Sequence, residues 1–61
     1  MPEHQLLRIK QVQKKTGLNR TQIYAYMKLG LFPASIKIGP ASVAWLEEEI
    51  EQWINTKLSN R

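Results

Sequence analysis

The chain has 61 residues, with nine Lys or Arg against five Glu, no Asp or Cys and a single His, for a formal net charge of +4. A chain this short allows one domain with a thin core, burying only about 60% of the surface its unfolded form exposes. With no cysteine there is no disulfide framework and no Cys-rich zinc site, and His4 alone builds no metal centre, so neither metal nor cofactor is expected.

No apolar run approaches the roughly 20 residues of a membrane span, and no signal-peptide pattern opens the chain. The expectation is a cytoplasmic protein with no membrane partner and no small-molecule substrate. The charge is uneven: up to residue 46 seven cations face Glu3 alone, a net +6, whereas residues 47–61 carry a net −2. A basic front and an acidic back can orient a protein on a polyanion.

Residues 1–5 read as a flexible tail, and 6–61 as one domain entered at "LLRI". A first helix is predicted over 9–16, where Ile9, Val12 and Thr16 share one face. Arg8 takes its cap position, where Ser, Thr or Asp would serve better. Gly17 supplies a left-handed residue to end it.

The second helix, predicted over 20–29, carries the best local signals. Asn19 fits its N-cap, and Gln22 three residues on completes a capping-box pattern. Leu18 and Ile23 are spaced as a hydrophobic staple, and Gly30 is the stop. Ile23, Tyr26 and Met27 share the face toward the core, Thr21, Gln22, Ala25 and Lys28 face away, and Tyr24 lies at the boundary.

"LFP" follows as a short apolar connection, with Pro33 discouraging further helix. In "SIKIGPASVAW" two alternating runs bracket Gly39-Pro40 and read as a hairpin, with Ile36 and Ile38 on one face and Lys37 on the other. An isolated hairpin is unstable, so this one must pack on the helices. A last helix over 46–58 carries the stripe Leu46, Ile50, Trp53, Ile54 and Leu58, with three Glu at its positive N-terminus.

Enzyme chemistry fails on inventory, since the only internal carboxylates lie on the last helix and no Gly-rich phosphate loop is present. The stronger constellation is helix, Gly-containing turn, helix. In the helix-turn-helix plan the second helix enters the DNA major groove and its N-terminal residues reach base edges. Here those residues are Arg20, Thr21 and Gln22, with Tyr24 and Ala25 behind them. Arg forks to guanine, Gln pairs with adenine and Thr serves a base or a phosphate. Lys28 is better placed for a phosphate. A hairpin after such a unit is a wing, whose candidate contacts are Lys37, Ser42 and the Gly39-Pro40 tip. The competing reading keeps Gln22 purely as the cap partner and the hairpin purely as a lid on the core.

"LLRIKQVQKKTGLNRTQIYAYMKLGLFP", then "IKIG" and "SVAWLEEEIEQWI", resemble in order and spacing the AlpA family of short prophage regulators, from about Leu6 to Leu58. The resemblance implies a mostly α fold with a small β-hairpin: a winged helix-turn-helix of the MerR-like, excisionase-related kind. It implies a DNA-binding regulator with Arg20 to Leu29 as reading helix and Ile38 to Val43 spanning the wing tip. Two positions depart from the family pattern. Ala41 stands where wings commonly carry a basic residue, and Ala25 where the reading helix commonly carries Arg; each removes a DNA contact.

The expectation is therefore a sequence-specific transcriptional regulator binding double-stranded DNA, with cooperative self-association on tandem sites. Two alternatives remain. One is a protein-interaction adaptor or inhibitor docking through Glu47, Glu48 and Glu51. The other is an excisionase-type DNA-bending factor.

Overall fold

The computed structural model describes residues 4–60, so most of the expected tail and Arg61 lie outside the described residues. In chain order the elements are β1 (Leu6–Leu7), α1 (Ile9–Thr16), α2 (Arg20–Lys28), β2 (Ile36–Gly39), β3 (Ser42–Leu46) and α3 (Glu47–Ser59). They form three helices and a small antiparallel sheet of order β1-β3-β2.

The core is assembled from single residues of successive elements. Leu7 of β1, Val12 of α1, Ile23 of α2, Phe32 of the α2–β2 connection, Trp45 of β3 and Ile50 of α3 form one buried cluster. Trp45, Ile23, Ile50 and Val12 have no exposed surface. Each such side chain contributes about 1.5–3 kcal/mol by leaving water, so every element but β2 is anchored by one fully or almost fully buried residue of this cluster.

Leu6–Leu7, read from sequence only as the way into α1, is a strand. Leu6 lies opposite Leu46 and Leu7 opposite Trp45, and the Glu47 N–H donates to the Gln5 carbonyl at 2.8 Å. Two residues are too few for alternation to reveal a strand; the pairing comes from β3, which would otherwise present an open edge.

The hairpin forms where expected, with Ile36 and Lys37 on opposite faces and Ile38 left unpaired. Ile36 pairs with Ala44, Lys37 with Val43 and Gly39 with Ser42, with a register irregularity between Lys37 and Gly39. Cross-strand partners share a face, so Lys37 lies on the Trp45 side and Ile36 on the other. The isoleucines are not core residues: Ile36 is 38% and Ile38 45% exposed. The two-residue turn is Pro40-Ala41.

Both tryptophans pin the α2–β2 connection. The Trp45 indole N–H donates to the Pro33 carbonyl at 3.2 Å and that of Trp53 to the Leu31 carbonyl at 2.8 Å. Phe32 sits edge-to-face on Trp53, centroids 4.9 Å apart. The far end of the α3 stripe overshoots this core, leaving Leu58 53% exposed. Among the described residues no helix is long and apolar enough to cross a membrane.

Candidate nucleic-acid interface

The junction between α1 and α2 is built by side chains acting on backbone. Thr16 Oγ1 donates to the Val12 carbonyl at 2.8 Å and accepts from the Leu18 N–H at 3.3 Å. Gly17, at φ +78, closes α1 with its N–H on the Gln13 carbonyl at 2.8 Å. A Cβ at Gly17 would meet nothing within 4 Å, so glycine is needed there for its backbone conformation and not for space.

At the start of α2 both halves of the capping box form. Asn19 Oδ1 accepts the Gln22 N–H at 2.8 Å and Gln22 Oε1 accepts the Asn19 N–H at 3.1 Å. At α1 only the return half forms, Gln11 Oε1 accepting the Arg8 N–H at 2.8 Å, because an arginine side chain has no acceptor. The end of α2 is a Schellman motif: the Gly30 N–H donates to the Met27 carbonyl at 3.1 Å and the Leu31 N–H to the Tyr26 carbonyl at 2.8 Å, with Gly30 at φ +73. A helix of nine residues is thereby fixed at both ends.

On α2, Ile23 is buried and Tyr26 and Met27 are half-buried, while Arg20, Thr21, Gln22, Tyr24, Ala25 and Lys28 are exposed. At 100° per residue Thr21, Ala25 and Lys28 form the outermost ridge. Arg20 and Tyr24 lie on one flank and Gln22 on the other. Gln22 spends its oxygen on the cap, which leaves the two N–H groups of its amide.

The Arg20 guanidinium lies over the Tyr24 ring, 5.7 Å from its centroid, and Tyr24 meets Trp45 edge-on at 6.3 Å. The spacing of Arg20 and Tyr24 was legible in the sequence as one turn of helix; the link from Tyr24 to the sheet was not. Of the hairpin candidates, Lys37 is exposed and shares the sheet face that Tyr24 packs against. Ser42 is half-buried and belongs to the opposite face with Ala44.

The cations divide into two groups. Lys15 is paired with Glu51 across the α1–α3 contact. Its hydrogen bond to that carboxylate raises its pKa above 10.5; desolvation opposes the rise, and the charges of Glu51 and Glu47 add to it. Among the described residues Arg20, Lys28 and Lys37 form no ion pair. Of the four glutamates of α3, Glu51 pairs with Lys15 and Glu48 meets His4 at 2.8 Å, both carboxylates staying well exposed. No group of three or more His, Cys, Asp or Glu is placed to hold a metal among the described residues.

The sequence was compared with known proteins. Residues 5–58 match the family model described as prophage CP4-57 regulatory protein (AlpA). The chain is 33% identical over 58 residues to the DNA-binding transcriptional activator AlpA of Escherichia coli (strain K12), covering 85% of this chain and 83% of that protein. It is 32% identical over 59 residues to an uncharacterized protein, ORF88, of Enterobacteria phage P4, covering 97% of this chain and 67% of that one. With nine-tenths of its length inside the family model, this chain belongs to the AlpA family of prophage regulatory proteins.

Proposed function

We propose that this protein is a sequence-specific, DNA-binding transcriptional regulator of prophage or integrative-element type. It is a cytoplasmic, single-domain, non-enzymatic protein over residues 6–61, a winged helix-turn-helix of MerR-like kind. Family membership supports the class of function. The observation that carries the binding mode is an α2 capped at both ends, whose outer face is polar and whose cations have no carboxylate partner among the described residues.

In this reading α2 enters the major groove, with Arg20 and Thr21 reading base edges. Gln22 brings its amide N–H groups to the groove while holding the helix start. Ala25 on the ridge lets the helix backbone approach closely, and Lys28 neutralises a phosphate. The β2–β3 hairpin is the wing, carrying Lys37 and Ser42 to the backbone. A single small module buries little DNA surface, so copies bind cooperatively at tandem sites.

The adaptor reading docks a partner on the acidic face of α3, where Lys15 and His4 already contact Glu51 and Glu48. The test is recovery of fragmented DNA from the source genome with tagged protein, followed by sequencing. Sharp enrichment at a promoter supports regulation, enrichment at an attachment site moves the reading to an excisionase, and flat recovery rejects DNA reading. Equal occupancy of single and tandem sites at one protein concentration rejects cooperativity.

A further inference from the structure

We propose that Tyr24 is a positioning residue for Arg20: its ring is a platform, fixed to the sheet through Trp45, that pre-sets the guanidinium for a base edge. The inference rests on the DNA-reading function proposed above and names the specificity device of that site. Three observations converge on it. The Arg20 guanidinium stands over the Tyr24 ring at 5.7 Å. Tyr24 in turn abuts Trp45 at 6.3 Å with ring planes inclined 62°. Trp45 is fully buried and hydrogen-bonded to the Pro33 carbonyl, so the platform stands on the packed core.

The chemistry suits recognition. A guanidinium carries its five N–H donors in its own plane, so covering one face consumes none of them. An unrestrained arginine loses much rotamer freedom on binding a base, whereas one already stacked loses less. With no carboxylate partner among the described residues, nothing competes for the fork. The hairpin thereby acts on base reading from a distance, because anything that shifts Trp45 shifts the seat of Arg20.

The test is a double-mutant cycle on the selected DNA site and on a copy altered at the base pair whose preference is lost in Arg20→Ala. Arg20→Ala should lower discrimination there by roughly five- to 150-fold, the range of a bidentate contact. Tyr24→Phe, which keeps the ring, should behave as wild type. Tyr24→Leu should lose roughly two- to fivefold at that base pair alone, the scale of an exposed cation–π contact. Arg20→Ala/Tyr24→Leu should match Arg20→Ala.

Equal weakening at every site, persistence of the Tyr24→Leu loss without Arg20, or a loss in Tyr24→Phe would each overturn the proposal; the last would assign the role to the hydroxyl. A readout free of folding defects is the side-chain Nε–Hε resonance of Arg20 in wild-type protein without DNA. An upfield ring-current shift with restricted motion supports the stack, and a random-coil, mobile signal rejects it. If wild type prefers no sequence, the DNA reading fails, and this resonance still decides the stack.

Discussion

Asn19 and Gln22 each accept a hydrogen bond from the other's backbone N–H, at 2.8 and 3.1 Å, so the residue best suited by type to read adenine is first of all a structural one. Asn19→Ala should cost about 1 kcal/mol. In a domain of this size a loss on that scale lowers the thermal midpoint by several degrees, roughly 4–8 °C per kcal/mol. Gln22→Ala should lower it by less and shift base preference less than Arg20→Ala does. Loss of preference at one base pair with an unchanged melting curve would make Gln22 a reader and not a cap.

Gly17 ends α1 at φ +78 with open space around it. Gly17→Ala should therefore destabilise by about 1–2 kcal/mol through backbone strain alone. Gly17→Asn, better tolerated in the left-handed region, should recover part of the loss. Urea titrations of the three proteins with a common slope would show this. Equal stability of the alanine and glycine forms would mean that the turn has relaxed out of its left-handed conformation.

The Lys15–Glu51 pair ties α1 to α3 and makes stability depend on alkaline pH. Lys15 has a raised pKa in the folded protein. Its contribution is therefore complete below the unfolded value near 10.5 and is lost as pH rises through the higher folded value. The gap in urea midpoint between wild type and Lys15→Met should be constant up to about pH 10 and close above it. A gap that stays open through strongly alkaline pH would mean the side chain acts by packing and not by charge.

Much of this was legible before the structure. Asn19, Gln22, Gly17 and Gly30 are local signals, each satisfied within a few residues of chain, and they placed α1 and α2 to within a residue of their observed ends. The stripe on α3 identified Ile50, Trp53 and Ile54 correctly because helical period is a local property. What failed depended on partners distant in sequence. β1 exists only because β3 offers it an edge, and the irregularity after Lys37 leaves Ile38 out of the pairing that alternation gave it. The Tyr24–Trp45 contact spans the gap between α2 and the sheet, and no spacing rule reaches it. Lys15 was counted with the basic front because its partner lies 36 residues away.

Lys28 and Lys37 should act through phosphates. Lys28→Ala and Lys37→Ala should each weaken binding by a similar factor on preferred and on altered sites. Each should also reduce the log–log salt slope by about 0.9. Anisotropy titrations of wild type and both variants between low and moderate salt measure this. Lys15→Ala, whose charge is already matched by Glu51, should change the slope least. A slope unchanged by Lys28→Ala would remove that residue from the interface.

The central claim is that the outer face of α2 reads bases, and selection from random-sequence duplex DNA with wild type and with Arg20→Ala/Thr21→Ala in parallel tests it most directly. The account predicts that wild type enriches one short motif and that the double variant, folded by circular dichroism, loses preference at adjacent base pairs while retaining salt-dependent affinity. The same enriched motif from both proteins, or no enrichment by wild type over the starting pool, would contradict it.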